Sequence, residues 1–126
     1  MLQIAVIGAG PAGYYTAEAL AKTLGEVKVD IIDRLPTPFG LIRAGVAPDH
    51  QSIKAVTKRY EATAASEGVG FIGNLQIGTD VSIDELRELY DAVVLATGAP
   101  HDRPLGIPGE DLPGVLGSGA FVGWYN

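Results

Sequence analysis

Gly8-Ala9-Gly10-Pro11-Ala12-Gly13 decides the fold, because of what flanks it. Before it, Leu2–Ile7 (LQIAVI) is an almost continuous apolar run that stops at Gly8, as expected of a strand buried on both faces. After it, Pro11–Leu24 fits a helix, with Pro11 in the first turn and Gly13, Ala17, Leu20 and Leu24 along one side. Gly25 ends that helix, and Val27–Asp33 reads as a second strand. A G-x-G-x-x-G set between strand and helix gives each glycine a task. Gly8 permits the tight turn, Gly10 lets a pyrophosphate approach the backbone, and Gly13 lets helix and strand pack closely. The helix start around Ala12 offers free N–H groups and a positive dipole end. Asp33 closes the second strand about 20 residues past Gly13, where a carboxylate accepts ribose hydroxyls and repels a 2′-phosphate. A lone glycine motif is weak evidence, since a tight strand–helix turn with a surface Asp at a strand end would look the same. With strand, helix and acid all in place, it reads as a dinucleotide site.

The next signal is Pro36–His50 (PTPFGLIRAGVAPDH). Structureless loops beyond about 12–15 residues are uncommon in compact domains and are mostly functional. Prolines 36, 38 and 48 restrict this backbone, while Gly40 and Gly45 let it turn or pass close to a ligand. The loop therefore reads as shaped around a bound molecule. Beyond it, Ile53, Val56, Tyr60 and Ala64 recur at helical spacing, and short strands are expected at Gly70–Ile72 and Leu75–Ile77. Ser82 and Glu85 form a capping box for a short helix carrying Ile83, Leu86 and Leu89. Ala92–Ala96 is another buried strand, ending at Thr97-Gly98. The order predicts an α/β domain over residues 1–126, with a Rossmann-like, doubly wound and mostly parallel sheet.

Composition narrows the function. The chain has 126 residues, 47% of them hydrophobic, and a formal charge of −6, which argues against a nucleic-acid partner. No cysteine is present, and His50 and His101 stand far apart, so no metal site is expected. No apolar run approaches the roughly 18 residues of a membrane span, and no secretory leader precedes the first strand. A cytoplasmic location, or an organelle after loss of a transit peptide, is the expectation.

Spacing alone leaves FAD and NAD(P) both open. FAD is favoured by the motif's place near the N-terminus and by the second glycine turn, Ala96-Thr97-Gly98-Ala99, after a buried strand. Taken together, G-A-G-P-A-G-Y-Y-T-A, P-F-G-L-I-R-A-G-V-A-P-D-H, L-A-T-G-A, I-P-G-E-D-L-P-G-V and F-V-G-W-Y-N resemble adrenodoxin-reductase-type ferredoxin–NADP reductases, especially the actinobacterial ones. The glutamate synthase small subunit shares G-P-A-G and I-P-G-E, but its loop does not normally carry A-P-D-H.

The resemblance implies the N-terminal FAD-binding part of such a flavoprotein, incomplete relative to the family. The NADP-binding domain and a C-terminal FAD segment would lie beyond Asn126. It places the FAD pyrophosphate against Gly8, Gly10, Ala12 and Gly13, and the adenosine ribose at Asp33, where the family often has Glu. It places Leu41 toward the flavin, Val81 at the adenine, Gly98 near the cofactor, and Arg103 at NADP(H). It implies that His50 sits near the flavin's reactive face and modulates hydride transfer. The bland alternative has Asp49 capping the next helix, with His50 in solvent. Trp124 and Tyr125 read as packing between domains. The electron acceptor implied is a ferredoxin-type iron–sulfur protein. The alternative for this chain alone is a non-catalytic nucleotide-binding module, which could self-associate through uncovered apolar surface.

Overall fold

A computed structural model describes all 126 residues, Met1–Asn126. The elements are β1 (Leu2–Ile7), α1 (Pro11–Leu24), β2 (Val27–Ile32), α2 (Leu41–Ala44), α3 (Gln51–Lys54), α4 (Thr57–Ala64), β3 (Val69–Ile72), α5 (Ile83–Leu89), β4 (Ala92–Leu95) and α6 (Ser118–Tyr125). All strand pairs are parallel, in the order β3-β2-β1-β4. Strand order reverses at β1, which has β2 on one side and β4 on the other. Ligands of open α/β sheets bind in the crevice beyond the carboxyl ends of the strands at such a point.

The central strands β1 and β2 are covered on both faces, which explains why they read as continuous apolar runs. The edge strand β4, expected to be buried, is not, and its Leu95 is 67% exposed. On one face Ile4, Val6, Val27, Val29 and Ile31 pack with Tyr14 and Ala17 of α1 and with Tyr60 of α4. On the other, Ala5, Ile7 and Ile32 pack against Leu86 of α5. Asp30, on this second face, is buried and accepts the Tyr90 hydroxyl at 2.9 Å. Burial and the Asp30 charge push the Tyr90 phenol up to about 12. The expected capping box is present: Glu85 N–H donates to Ser82 Oγ at 3.1 Å, and Ser82 N–H donates to the Glu85 carboxylate at 2.8 Å.

Three further expectations need correction and one element is new. Leu75–Ile77 is not a strand, since only Ile77 and Val81 form an isolated bridge. The alternation there comes from Leu75 and Ile77 inserting from a turn into the α5-side cluster, while Asp80 closes the turn by accepting the Gln76 amide at 2.7 Å. The single helix expected around Ile53–Ala64 is two, α3 and α4, because Val56 and Lys58 donate to carbonyls three residues back. The Pro36–His50 loop is not structureless but holds one helical turn, α2. Its N–H groups at Arg43 and Ala44 both close on Gly40 O. Finally, α6 was not foreseen; Asp102 holds it by accepting the Gly119 and Ala120 amides, each at 2.9 Å. Those two bonds keep the Asp102 carboxyl below its ordinary range. No helix is long and apolar enough to cross a membrane.

Candidate dinucleotide site

The glycine loop lies at the carboxyl end of β1, at the reversal point of the sheet. Gly8 has φ +113°, and a Cβ there would fall on the Ala96 carbonyl oxygen. A Cβ on Gly13 would fall on the Gly8 carbonyl oxygen. The fold itself therefore requires these two glycines. Gly10 differs. Its φ is −83°, which any residue adopts, and a Cβ there would meet nothing within 4 Å. No protein atom needs Gly10 to be glycine. Its bare face looks outward over the first turn of α1, where the Gly10, Ala12 and Gly13 amides donate to no protein acceptor. Free donors at a helix start beside a cleared backbone fit a pyrophosphate.

Ala96-Thr97 comes up against Gly8, and Ala96 N–H donates to Ile7 O at 2.7 Å. The second glycine turn thus leaves the sheet beside the first. Gly98 itself, with φ +67°, stands two residues further out and exposed.

Asp33 lies just past β2 and grips the loop directly. Its Oδ2 accepts the Ala9 amide at 2.7 Å and its Oδ1 accepts the Leu35 amide at 2.9 Å. A carboxylate offers about four lone-pair sites, so two remain for a ligand's hydroxyls. This structural duty was not legible in the sequence, where Asp33 read only as a ribose acceptor.

The proline-rich loop folds back onto the same place. Phe39 N–H donates to Ala9 O at 2.8 Å, and a Cβ on Gly40 would come within 2.9 Å of Gly10 Cα. Phe39 takes φ +87°, a conformation that strains a bulky residue and persists where its surroundings over-determine it. Here the surroundings are the Ala9 contact, the Tyr14 and Tyr60 rings at 5.3 and 5.9 Å, and Arg43 over the Phe39 ring at 5.4 Å. Arg43 also donates from Nε to Pro38 O at 3.0 Å.

Two residues absent from the sequence reading fix the far side of this loop. Asn126 Nδ2 donates to Arg43 O at 2.9 Å and Val46 O at 2.8 Å. Lys54 Nζ reaches Ile42 O at 3.2 Å, Arg43 O at 3.3 Å and Asn126 Oδ1 at 3.3 Å. The last turn of α2 thereby receives the donors its carbonyls need.

The remaining predicted residues spread around this centre. Leu41 opens α2 and is exposed. Val81 is half-buried against the α5-side cluster, and its carbonyl accepts the Gly78 amide at 2.7 Å. His50 is the exposed N-cap residue of α3, and no side chain caps that helix, so Asp49 does not do so. Arg103 is not brought to the glycine loop; it lines a separate surface groove with Asp102, Glu110 and Asp111. Trp124 and Tyr125 project from α6, 80% and 55% exposed, with Trp124 beside Phe121 and Leu116.

Comparison with known proteins bears on the family and the fold. The family model described as pyridine nucleotide-disulphide oxidoreductase matches residues 2–121. The mitochondrial NADPH:adrenodoxin oxidoreductase of Arabidopsis thaliana is 52% identical over 125 residues, 99% of this chain and 26% of the relative. NADPH-ferredoxin reductase FprA of Mycobacterium leprae (strain TN) is 48% identical over 128 residues, covering 98% of this chain and 28% of that protein. The structure of Mycobacterium tuberculosis FprA in complex with NADPH superposes with a TM-score of 0.92 at 47% identity, over 98% of this chain and 28% of that one. The chain thus spans about a quarter of the length of the relatives it matches.

Proposed function

The chain belongs to the pyridine nucleotide-disulphide oxidoreductase family, and on that premise we propose that it is the FAD-binding part of an NADPH-dependent ferredoxin reductase. The observation that carries this reading is Gly10, whose missing side chain serves no protein contact yet clears the approach to three free amides.

The residues present fit FAD. Gly10, Ala12 and Gly13 would donate to the pyrophosphate. Asp33 would take the adenosine ribose on its two remaining lone-pair sites, while its existing bonds to Ala9 and Leu35 hold loop and acceptor in one register. The strained Phe39-Gly40 step seats the proline-rich loop over the glycine loop, and Leu41 at the start of α2 would face the isoalloxazine side of a bound FAD. The chemistry that FAD supplies when bound is hydride acceptance from a nicotinamide and release of single electrons to a ferredoxin-type iron–sulfur protein. His50, exposed on the same loop, would orient the nicotinamide or tune its environment by hydrogen bonding. Arg103 would meet NADP(H) in the longer protein, where its guanidinium suits a phosphate.

This reading extends the domain plan expected from the sequence: residues 1–126 as one FAD-binding unit, with the NADP-binding region elsewhere in the longer protein. The apolar side chains of α6 would then pack against that region, or against a second copy when the chain is isolated. A nucleotide-binding module without turnover would keep the same site. Lack of NADPH-driven dye reduction by a flavin-loaded chain would favour it. A glutamate-synthase-type oxidoreductase is disfavoured by A-P-D-H.

The test is a flavin-fluorescence titration. FAD should be quenched to saturation at one per chain and displaced by ADP. Riboflavin, which lacks the pyrophosphate and adenosine, should bind at least about 100-fold more weakly, a loss of roughly 2.7 kcal/mol. Equal binding of riboflavin, or no saturable quenching, would remove the proposal.

A further inference from the structure

Phe39 holds φ +87° although it is not glycine, and it is buried. A bulky residue keeps such a conformation only where its surroundings over-determine it. The ring supplies that hold. It lies 5.3 Å from Tyr14 and 5.9 Å from Tyr60, with Arg43 over it at 5.4 Å. What the strained conformation delivers is the Phe39 amide, which donates to Ala9 O at 2.8 Å.

Ala9 is thereby held at both ends of its backbone. Its N–H donates to Asp33 Oδ2 at 2.7 Å, its carbonyl accepts from Phe39, and its methyl is buried. The peptide between Ala9 and Gly10 is planar and trans, so its C=O and its N–H point in opposite directions. Fixing the Ala9 carbonyl on Phe39 therefore fixes the Gly10 N–H, which has no protein acceptor, on the side away from the Phe39 amide. That hold matters because Gly10, with no side chain, turns freely about φ. The bareness that clears a pyrophosphate's approach would otherwise leave this donor free to rotate. A donor already aimed loses less freedom when its ligand arrives.

We propose that Phe39 is a positioning residue, whose packed ring and strained backbone place its amide so that the Gly10 N–H is aimed at the pyrophosphate. The inference rests on the dinucleotide reading and gives the proline-rich loop a duty at the phosphates, separate from its place toward the flavin.

The experiment replaces Phe39 by phenyllactate, which turns the Pro38–Phe39 amide into an ester. The N–H is lost and the ring stays. Wild type and the ester chain are titrated with ADP and with adenosine, and the midpoint of thermal unfolding is recorded for both. The ester chain should unfold cooperatively, with a midpoint lowered by a few degrees, about the effect of one lost hydrogen bond. Its ADP affinity should fall about tenfold. Its adenosine affinity should change less than about twofold, because adenosine carries no phosphate for Gly10 to meet. Unchanged ADP affinity would overturn the proposal, and so would an equal loss for both ligands, which marks a general loosening of the site. A second measurement needs no altered chain: the scalar coupling across the hydrogen bond from Phe39 N–H to the Ala9 carbonyl in labelled wild type. It should be present without ligand and persist with ADP. Its absence from the ligand-free chain would overturn the proposal, and this coupling decides the matter if the ester chain fails to fold. If wild type binds neither FAD nor ADP, the dinucleotide reading fails first. That result is distinct from a wild type that binds and an ester chain that binds equally well.

Discussion

A Gly8→Ala chain is expected to lose the native arrangement of β1, α1 and β4, not merely to bind a ligand less well. The added methyl would fall on the Ala96 carbonyl oxygen, and Ala96 is tied to Ile7 by a 2.7 Å backbone bond. Neither group can rotate away as a side-chain tip could. The backbone at Gly8 also holds φ +113°, which strains any residue with a Cβ by on the order of 1–3 kcal/mol. Relieving the overlap means pulling β4 from β1, an edge pairing that runs only from Ile4 opposite Ala92 to Ile7 opposite Leu95. Strain and lost pairing together come to about 4 kcal/mol or more, against a total stability of roughly 5–15 kcal/mol for a domain. Thermal unfolding followed by circular dichroism should show the midpoint lowered by at least about 10 °C, or no cooperative transition. A midpoint within about 2 °C of wild type would mean that Gly8 and Ala96 do not approach as described.

Gly10→Val should do the reverse, keeping the fold and abolishing cofactor binding. Gly10 sits at φ −83° and ψ −171°, extended backbone that a β-branched residue favours, and no protein atom lies within 4 Å of its added Cβ. Losing glycine at the N-cap of α1 costs at most about 1 kcal/mol. The isopropyl group would occupy the space in front of the Gly10, Ala12 and Gly13 amides, which the pyrophosphate needs. FAD affinity should fall at least about 100-fold while the unfolding midpoint moves by only a few degrees. A Gly10→Val chain that binds FAD like wild type would show that the cofactor, if bound, lies elsewhere.

These two substitutions also mark how far the sequence could be read. The G-x-G-x-x-G spacing, the apolar strands and Asp33 at the end of β2 were all legible, because each rests on local periodicity or on a fixed distance along the chain. Which glycine serves the fold and which serves the ligand was not legible. That depends on Ala96, which stands 88 residues from Gly8 in sequence and comes against it only through β1–β4 pairing. The position of Asp33 at the end of β2 is legible, but its bond to the Ala9 amide requires the turn geometry that the same motif creates. The length and prolines of the Pro36–His50 loop make it read as shaped around a bound molecule. Its helical turn, its strained Phe39 and its ties to Lys54 and Asn126 are tertiary facts without a local signal. Leu75–Ile77 misled because alternation reports which side chains are buried, and a turn can bury alternate residues as well as a strand can. α6 went unseen because its two inner glycines, Gly119 and Gly123, and its nearly all-round apolar composition disguise the helical period.

Amide proton–nitrogen spectra of the labelled chain, recorded while FAD is added, test the dinucleotide site most directly. The Gly10, Ala12 and Gly13 amides should shift most, since they gain acceptors where they have none. Ala9 and Leu35, which donate to Asp33, should follow as its carboxylate takes the ribose. If those amides stay still while residues of the Asp102–Ser118 groove move, the glycine loop is not where the cofactor binds.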